Sequence, residues 1–244
     1  MARDRQKIII GIEHGKWQSL QSYHWGRSGW VGPEELIGST GYAAHDPYLS
    51  LDERRLFFIT RARGNADIAF LERGNDGDWS KPLLLDPPVN SSSNEYYTSM
   101  TADGAIVFAS DRSSTQPGDY DIYRASPDAT GFSDPVKFPE GINTDGYEAD
   151  PFIDPDGRYL LFASNRPGGR GRGDLYLSVT DNSGGWSDPI PFDATINTAG
   201  HQLCPLVTLD GSAFLFTSDQ DIYWVSSAVI DRMVASHRAR SSQR

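Results

Sequence analysis

The side chains best suited to chemistry in this chain of 244 residues are acids, phenols and imidazoles that sit just ahead of a recurring aspartate-led turn. Counting back from Asp52-Glu53, Asp103-Gly104, Asp156-Gly157 and Asp210-Gly211 gives a first set at Asp46, Tyr97, Asp150 and Cys204. A second set is His45, Tyr96, Ala149 and Leu203. A third is Ala44, Glu95, Glu148 and Gln202, with Tyr147 and His201 beside it. Carboxylates converging from equivalent positions either raise one another's pKa or attract a cation, a logic shared by a glycosidase acid pair and a hard-metal site. Their plainer role is to hydrogen-bond neighbouring strand ends, as buried polar groups usually do. The candidate ligand-binding residues are therefore His45, Asp46, Glu95, Tyr97, Glu148, Asp150 and His201. Were the protein an enzyme, Glu148, Asp150, Glu95 and Asp46 would carry the reaction. No cofactor is expected, although a divalent cation would suit a channel lined by these acids.

Other chemical signals are thinner. The sequence has no G-x-S-x-G elbow and no H-E-x-x-H, and Gly169, Gly171 and Gly173 lie between two strands with no helix to follow, which denies them a dinucleotide-binding context. Cys204 and His201 are three apart on an extended strand and point to opposite faces, so they do not pair as nucleophile and base. Arg166, Arg170 and Arg172 make one basic loop on an acidic protein. Aromatic residues crowd the first segment at Trp17, Tyr23, His24, Trp25, Trp30 and Tyr42. Trp30 reads as a strand-packing residue and Trp25 as core, which leaves Trp17 and His24 as surface candidates.

The elements that position these residues form a repeat. Phe58, Phe108, Phe162 and Phe216 recur about every 50 to 54 residues, each ending an apolar run that follows the turn. Next comes a polar loop, then an acidic and an aliphatic residue opening a third strand: Asp67-Ile68, Asp121-Ile122, Asp174-Leu175 and Asp221-Ile222. These aspartates read as strand-end or loop caps. A fourth strand is announced by an aromatic residue shortly before proline, at Trp30-Pro33, Trp79-Pro82, Phe132-Pro135 and Trp186-Pro189, where the missing N–H suits an outer edge. Val89-Asn90, Ile142-Asn143 and Ile196-Asn197 mark the crossing to the next repeat.

A period of this length built from short strands predicts an all-β propeller of four-stranded antiparallel blades. One domain spans 1–237, with full repeats at 46–97, 98–149 and 150–203 and partial ones at 8–45 and 204–230. Five blades are expected, because the N-terminal segment carries its own fourth-strand motif at Trp30 and so builds its own blade; four is the alternative if the two ends share one. The spacing of Val229, Met233 and Val234 predicts a short C-terminal helix over the open edge of the last blade, and 238–244 reads as a disordered tail.

The motifs Asp150-Pro151-Phe152-Ile153-Asp154-Pro155-Asp156-Gly157, Phe162-Ala163-Ser164-Asn165-Arg166, Asp174-Leu175-Tyr176 and Gly185-Trp186-Ser187-Asp188-Pro189 together resemble the WD40-like (PD40) repeat of TolB and other bacterial envelope propellers. The resemblance covers about residues 30 to 225. It implies a binding or scaffolding module for a protein partner or a small ligand such as a glycan, and a place in the periplasm or cell envelope; the alternative is a glycan-active, glycosidase-like enzyme. Other expectations rest on composition. A net charge of −11 disfavours nucleic acid. A lone cysteine rules out an internal disulfide. The apolar run Ile8-Ile9-Ile10 is too short for a signal-peptide core or membrane insertion, which fits the cytoplasm.

Overall fold

The computed structural model describes residues 6–14, 17–37, 43–114, 116, 118–129, 131–181 and 183–241. The strands group into six antiparallel sheets, five of them the blades of a five-bladed propeller and the sixth a small side hairpin. Blade 1 contains β1 (Lys7–His14), β2 (Trp17–Gly26) and β3 (Gly29–Ile37). Blade 2 contains β4 (His45–Leu49), β5 (Arg55–Thr60), β6 (Asp67–Glu72) and β7 (Leu83–Leu84). Blade 3 contains β8 (Glu95–Met100), β9 (Ile106–Ser110) and β10 (Asp121–Ala125). A side hairpin, β11 (Pro127–Asp128) with β12 (Gly131–Phe132), then precedes its outer strand β13 (Val136–Lys137). Blade 4 contains β14 (Glu148–Ile153), β15 (Tyr159–Ser164), β16 (Asp174–Val179) and β17 (Ile190–Pro191). Blade 5 stops at three strands, β18 (Gln202–Val207), β19 (Ala213–Ser218) and β20 (Asp221–Ser226), before helix α1 (Ala228–Ser241).

The aspartate-led turns close each inner hairpin. Gly104, Gly157 and Gly211 take φ of 88°, 69° and 71°, a region open to glycine at no steric cost. Glu53 stands in that place in blade 2 at φ 57° and bears a left-handed penalty of roughly 1–2 kcal/mol. The second strands are buried on both faces, as their apolar runs require, with Phe58, Phe108 and Phe162 almost wholly excluded from water. Removing each such ring from solvent contributes about 1.5–3 kcal/mol.

Blades are also stitched by backbone. The N–H groups of Glu95, Glu148 and Gln202, each opening an inner strand, donate to Ala66, Tyr120 and Gly173 of the preceding blade at 2.8, 2.7 and 2.9 Å. Ser99 Oγ donates to the Pro151 carbonyl at 2.8 Å and accepts from the Ile153 N–H at 3.0 Å, tying the inner strands of blades 3 and 4.

Three local expectations change. The helix runs through Ser241, so residues 238–241 are helical where the sequence suggested the start of a disordered tail; 242–244 lie outside the described residues. Helix α1 packs against β16 of blade 4, with Ile230 buried, and does not cover the edge of β20. Trp25 is an exposed residue, not core: it meets Trp30 edge-on at 5.3 Å near the tip of the β2–β3 hairpin, so the two rings shield each other.

Candidate functional site

Each inner strand of blades 2 to 5 carries the same irregularity. The register against the second strand shifts between His45 and Tyr48, Tyr96 and Ser99, Ala149 and Phe152, and Leu203 and Leu206. Within the shifts, Asp46, Tyr97, Asp150 and Cys204 take φ of 51°, 51°, 54° and 56°. Three of them directly precede proline, a further restriction on the backbone. Non-glycine residues in this region cost about 1–3 kcal/mol each and persist only where the surroundings enforce them.

The left-handed step brings the four side chains close enough to act on one another. Asp150 Oδ2 accepts the Cys204 N–H at 3.0 Å. Burial, and then the charge of Asp46, raise the Asp150 carboxyl from 3.8 to about 7. Burial pushes the Tyr97 phenol and the Cys204 thiol well above their ordinary ranges, and the nearby carboxylates push the same way. Cys204 is therefore a thiol and not a nucleophile. Asp46 Oδ2 lies 2.8 Å from His45 Nδ1. Among the described residues, no three His, Cys, Asp or Glu side chains gather in a way that could hold a metal ion.

Glu95 and Glu148 are withdrawn from the channel. Both are 0 % exposed and anchor the crossing from the preceding blade. Glu95 accepts from the Ser91 N–H and Oγ at 3.0 and 2.6 Å, from Ser110 Oγ at 3.0 Å and from Arg112 Nη2 at 3.0 Å. Glu148 repeats the set with Thr144 N–H and Oγ1 at 2.6 and 2.9 Å, Ser164 Oγ at 2.7 Å and Arg166 Nη2 at 3.3 Å. Burial raises the Glu95 carboxyl, while the bonds from Ser91 and the Arg112 charge oppose the shift. The guanidinium groups also stack on aromatic faces, Arg166 lying 4.8 Å from the Tyr176 ring centre. Arg166 therefore belongs to this latch and not to a free basic loop; Arg172 pairs with Asp219 at 3.3 Å.

What remains at the mouth is a rim of rings. His45 faces Tyr96 with centres 5.9 Å apart, and Tyr96 meets Tyr120 edge-on at 5.3 Å. Arg61 bonds the Tyr96 hydroxyl and lies over its ring. The Tyr147 hydroxyl and His201 Nε2, at the starts of the next two inner strands, are 2.7 Å apart. Gly173 makes this pair possible, because a Cβ there would collide with both. Burial raises the phenols of Tyr96, Tyr120 and Tyr147 and lowers His201, so all four are neutral at pH 7. The rim offers hydrogen bonds and stacking faces, with the Arg61 guanidinium as a cation among neutral phenols.

Tyr120 and Arg61 were not among the sequence candidates. Their signal lay in the loops after the second strand, which end at the same rim as the inner strands. His24 is exposed on blade 1, whereas Tyr42 and the side chain of Trp17 lie outside the described residues.

No family model and no curated protein matches this chain. Solved structures do. TolB from Acinetobacter baumannii superposes with a TM-score of 0.59 at 16 % identity, over 92 % of this chain and 50 % of TolB, so the chain spans half the length of that protein. A putative TolB from Agrobacterium tumefaciens gives 0.57 at 18 %, over 89 % and 76 %. Hydrazine synthase from Kuenenia stuttgartiensis gives 0.55 at 13 %, over 93 % and 70 %. At these identities the likeness establishes a TolB-like propeller fold and no activity.

Proposed function

We propose that this protein is a non-catalytic binding module of the PD40 type that holds a protein segment or a small ligand such as a glycan at the mouth of its channel. The observation that carries the reading is the state of the two glutamates. Glu95 and Glu148 are fully buried and saturated with hydrogen bonds, which leaves the mouth to phenols and imidazoles around a half-buried aspartate, with Arg61 bonded to the Tyr96 hydroxyl. Aromatic faces with polar edges suit stacking on sugar rings or on a partner's side chains.

The test is thermal unfolding against oligosaccharides, peptidoglycan fragments and candidate protein partners, because a ligand of the folded state raises the midpoint by mass action. A stabilising compound should lose its effect in Tyr96→Ala and His201→Ala. A stabilisation that both variants retain would place the site elsewhere. The glycan-active alternative keeps one supporting observation, the Asp150 carboxyl raised to about 7 beside Asp46. Hydrolysis of an aryl glycoside that disappears in Asp150→Asn would replace the binding reading with that one.

A further inference from the structure

Each four-stranded blade shows how the outer edge of its third strand is covered. In blade 2 the Leu85 N–H donates to the Ile68 carbonyl at 3.0 Å. Asn90 clasps both backbone groups of Ile68, its Oδ1 accepting the N–H at 2.8 Å and its Nδ2 donating to the carbonyl at 2.9 Å. Blade 3 repeats the clasp with Asn143 on Ile122 at 2.8 and 3.1 Å, and blade 4 with Asn197 on Leu175 at 2.9 and 2.9 Å. Ile68, Ile122 and Leu175 are all 0 % exposed.

Blade 5 has the acceptor without the cover. Ile222 occupies the same register, opposite Thr217 as Leu175 is opposite Ala163. It is 65 % exposed, and the following Tyr223 and Trp224 are 48 % and 72 % exposed. No strand among the described residues pairs with the outer edge of β20. The three covering segments share one pattern, Pro-x-x-apolar-x-x-x-aliphatic-Asn, at residues 82–90, 135–143 and 189–197. The molecule thus displays three times the chemistry that fits this edge.

We infer that β20 is an acceptor edge for strand addition, and that its occupant is an extended segment of a protein partner carrying Pro-x-x-apolar-x-x-x-aliphatic-Asn. The backbone would pair with Tyr223 and Trp224, the apolar residue would seat against the exposed face of the blade, and the asparagine would clasp Ile222. A second copy of this chain is a poorer fit, because its free edge Asp221–Ser226 contains neither the proline nor the asparagine. The site is the rim of a blade and not the channel mouth, so it stands or falls separately from the function proposed above.

The probe is a fluorescein-labelled peptide with the sequence of residues 186–198, titrated with the full chain and followed by anisotropy. Saturable binding at micromolar concentrations is expected, unchanged by Tyr96→Ala at the mouth. The Asn197→Ala peptide should bind about tenfold or more weakly, since it loses the clasp. Ile222→Pro in the protein should abolish binding: its N–H points outward, so proline removes the clasped donor and spares the pairing with β19. The peptide comparison stands even if that variant fails to fold. Absence of saturation, or equal binding by the two peptides, would overturn the proposal. So would self-association of the chain that Ile222→Pro abolishes and the peptide does not displace, because the edge would then belong to a second copy.

Discussion

Replacing Asp150 by asparagine should stabilise the protein at high pH and do little at low pH. The Asp150 carboxyl is raised from 3.8 to about 7, first by burial and then by Asp46. Because its folded pKa exceeds its unfolded one, the folded state holds the proton over a window in which the unfolded chain has released it. Stability is thus unaffected below about pH 4, falls as the pH rises towards 7, and stays low above that. At about 1.36 kcal/mol per pKa unit the full penalty is ~4 kcal/mol. Solvent reaching the channel screens part of it, and about 2 kcal/mol is the working expectation. Asparagine keeps the acceptor for the Cys204 N–H and never ionises. For a chain of this size each kcal/mol moves the midpoint by about 2–4 °C, so Asp150→Asn should unfold about 4–8 °C above wild type at pH 8 and level with it at pH 4. Circular dichroism melts of both proteins across that range, at one ionic strength, measure the difference directly. Asp46→Asn in the wild-type background should shrink the penalty and end its window at lower pH, because removing the neighbouring charge lowers the folded pKa of Asp150 towards its unfolded value. A difference that does not vary with pH, or that falls as pH rises, would refute the reasoning.

Two further expectations concern the latches. Glu148→Gln leaves the largely buried Arg166 without its carboxylate and should lower stability by about 2–3 kcal/mol, less than the 3–5 kcal/mol typical of breaking a buried pair because glutamine keeps part of the bonding. Adding Arg166→Gln should recover most of that loss, and urea denaturation of the single and double variants tests both statements. Thr60→Val should be neutral or stabilising by up to about 1 kcal/mol, because the Thr60 hydroxyl is buried with no partner among the described residues. Ser164→Ala, the corresponding change in blade 4, should destabilise instead, since it removes a donor to Glu148; chemical melts that ranked the two variants the other way would contradict the assignment.

The repeat was legible because its signals are local. Turn chemistry at Asp103-Gly104, Asp156-Gly157 and Asp210-Gly211, the buried runs ending at Phe108, Phe162 and Phe216, and the proline-marked outer strands each act over a few residues. The separate fourth-strand motif at Trp30 argued for a blade at each end, and five blade sheets are present. Of the aspartates opening the third strands, Asp174 behaves as a loop cap, its Oδ2 accepting the N–H groups of Arg170 and Gly171 at 2.6 and 3.2 Å, and Asp121 is held to its loop by Ser113 Oγ at 2.7 Å. The site was harder to read. On a regular strand Glu148 and Asp150 would share a face and both would line the channel. The left-handed backbone at Asp150 and the register shift around it break that alternation, so Glu148 turns into the wall between blades while Asp150 turns inward. No pattern of apolar and polar residues announces such a step. Nor did one announce Tyr120, whose place at the rim depends on how the loop before β10 meets the next blade.

The latches vary together from blade to blade, and the variation has a direction. In blades 3 and 4 a buried glutamate, a serine on the second strand and an arginine two residues later form one unit. In blade 5 the glutamate is replaced by Gln202, which bonds Thr198 and Ser218 at 2.8 Å each, and the residue two after Ser218 is Gln220. Charge has been removed from both partners, so no buried ion is stranded. In blade 2 the acid has become Ala44 and the residue two after Thr60 is Ala62, leaving the hydroxyl orphaned. The full unit thus serves the two blades at the middle of the chain, and the blades beside the seam carry weaker versions. At that seam a cavity of about 740 Å³ is lined by Ile8, Ile10 and Ile12 of blade 1 and by Leu206, Leu215 and Ile222 of blade 5, together with Asp46, Tyr97 and Cys204. Local opening starts where buried contacts and latches are fewest. Amide exchange should therefore be fastest in β1, β18 and β20 and slowest in β9 and β15; equal protection in β15 and β19 would show that the latches do not set the order.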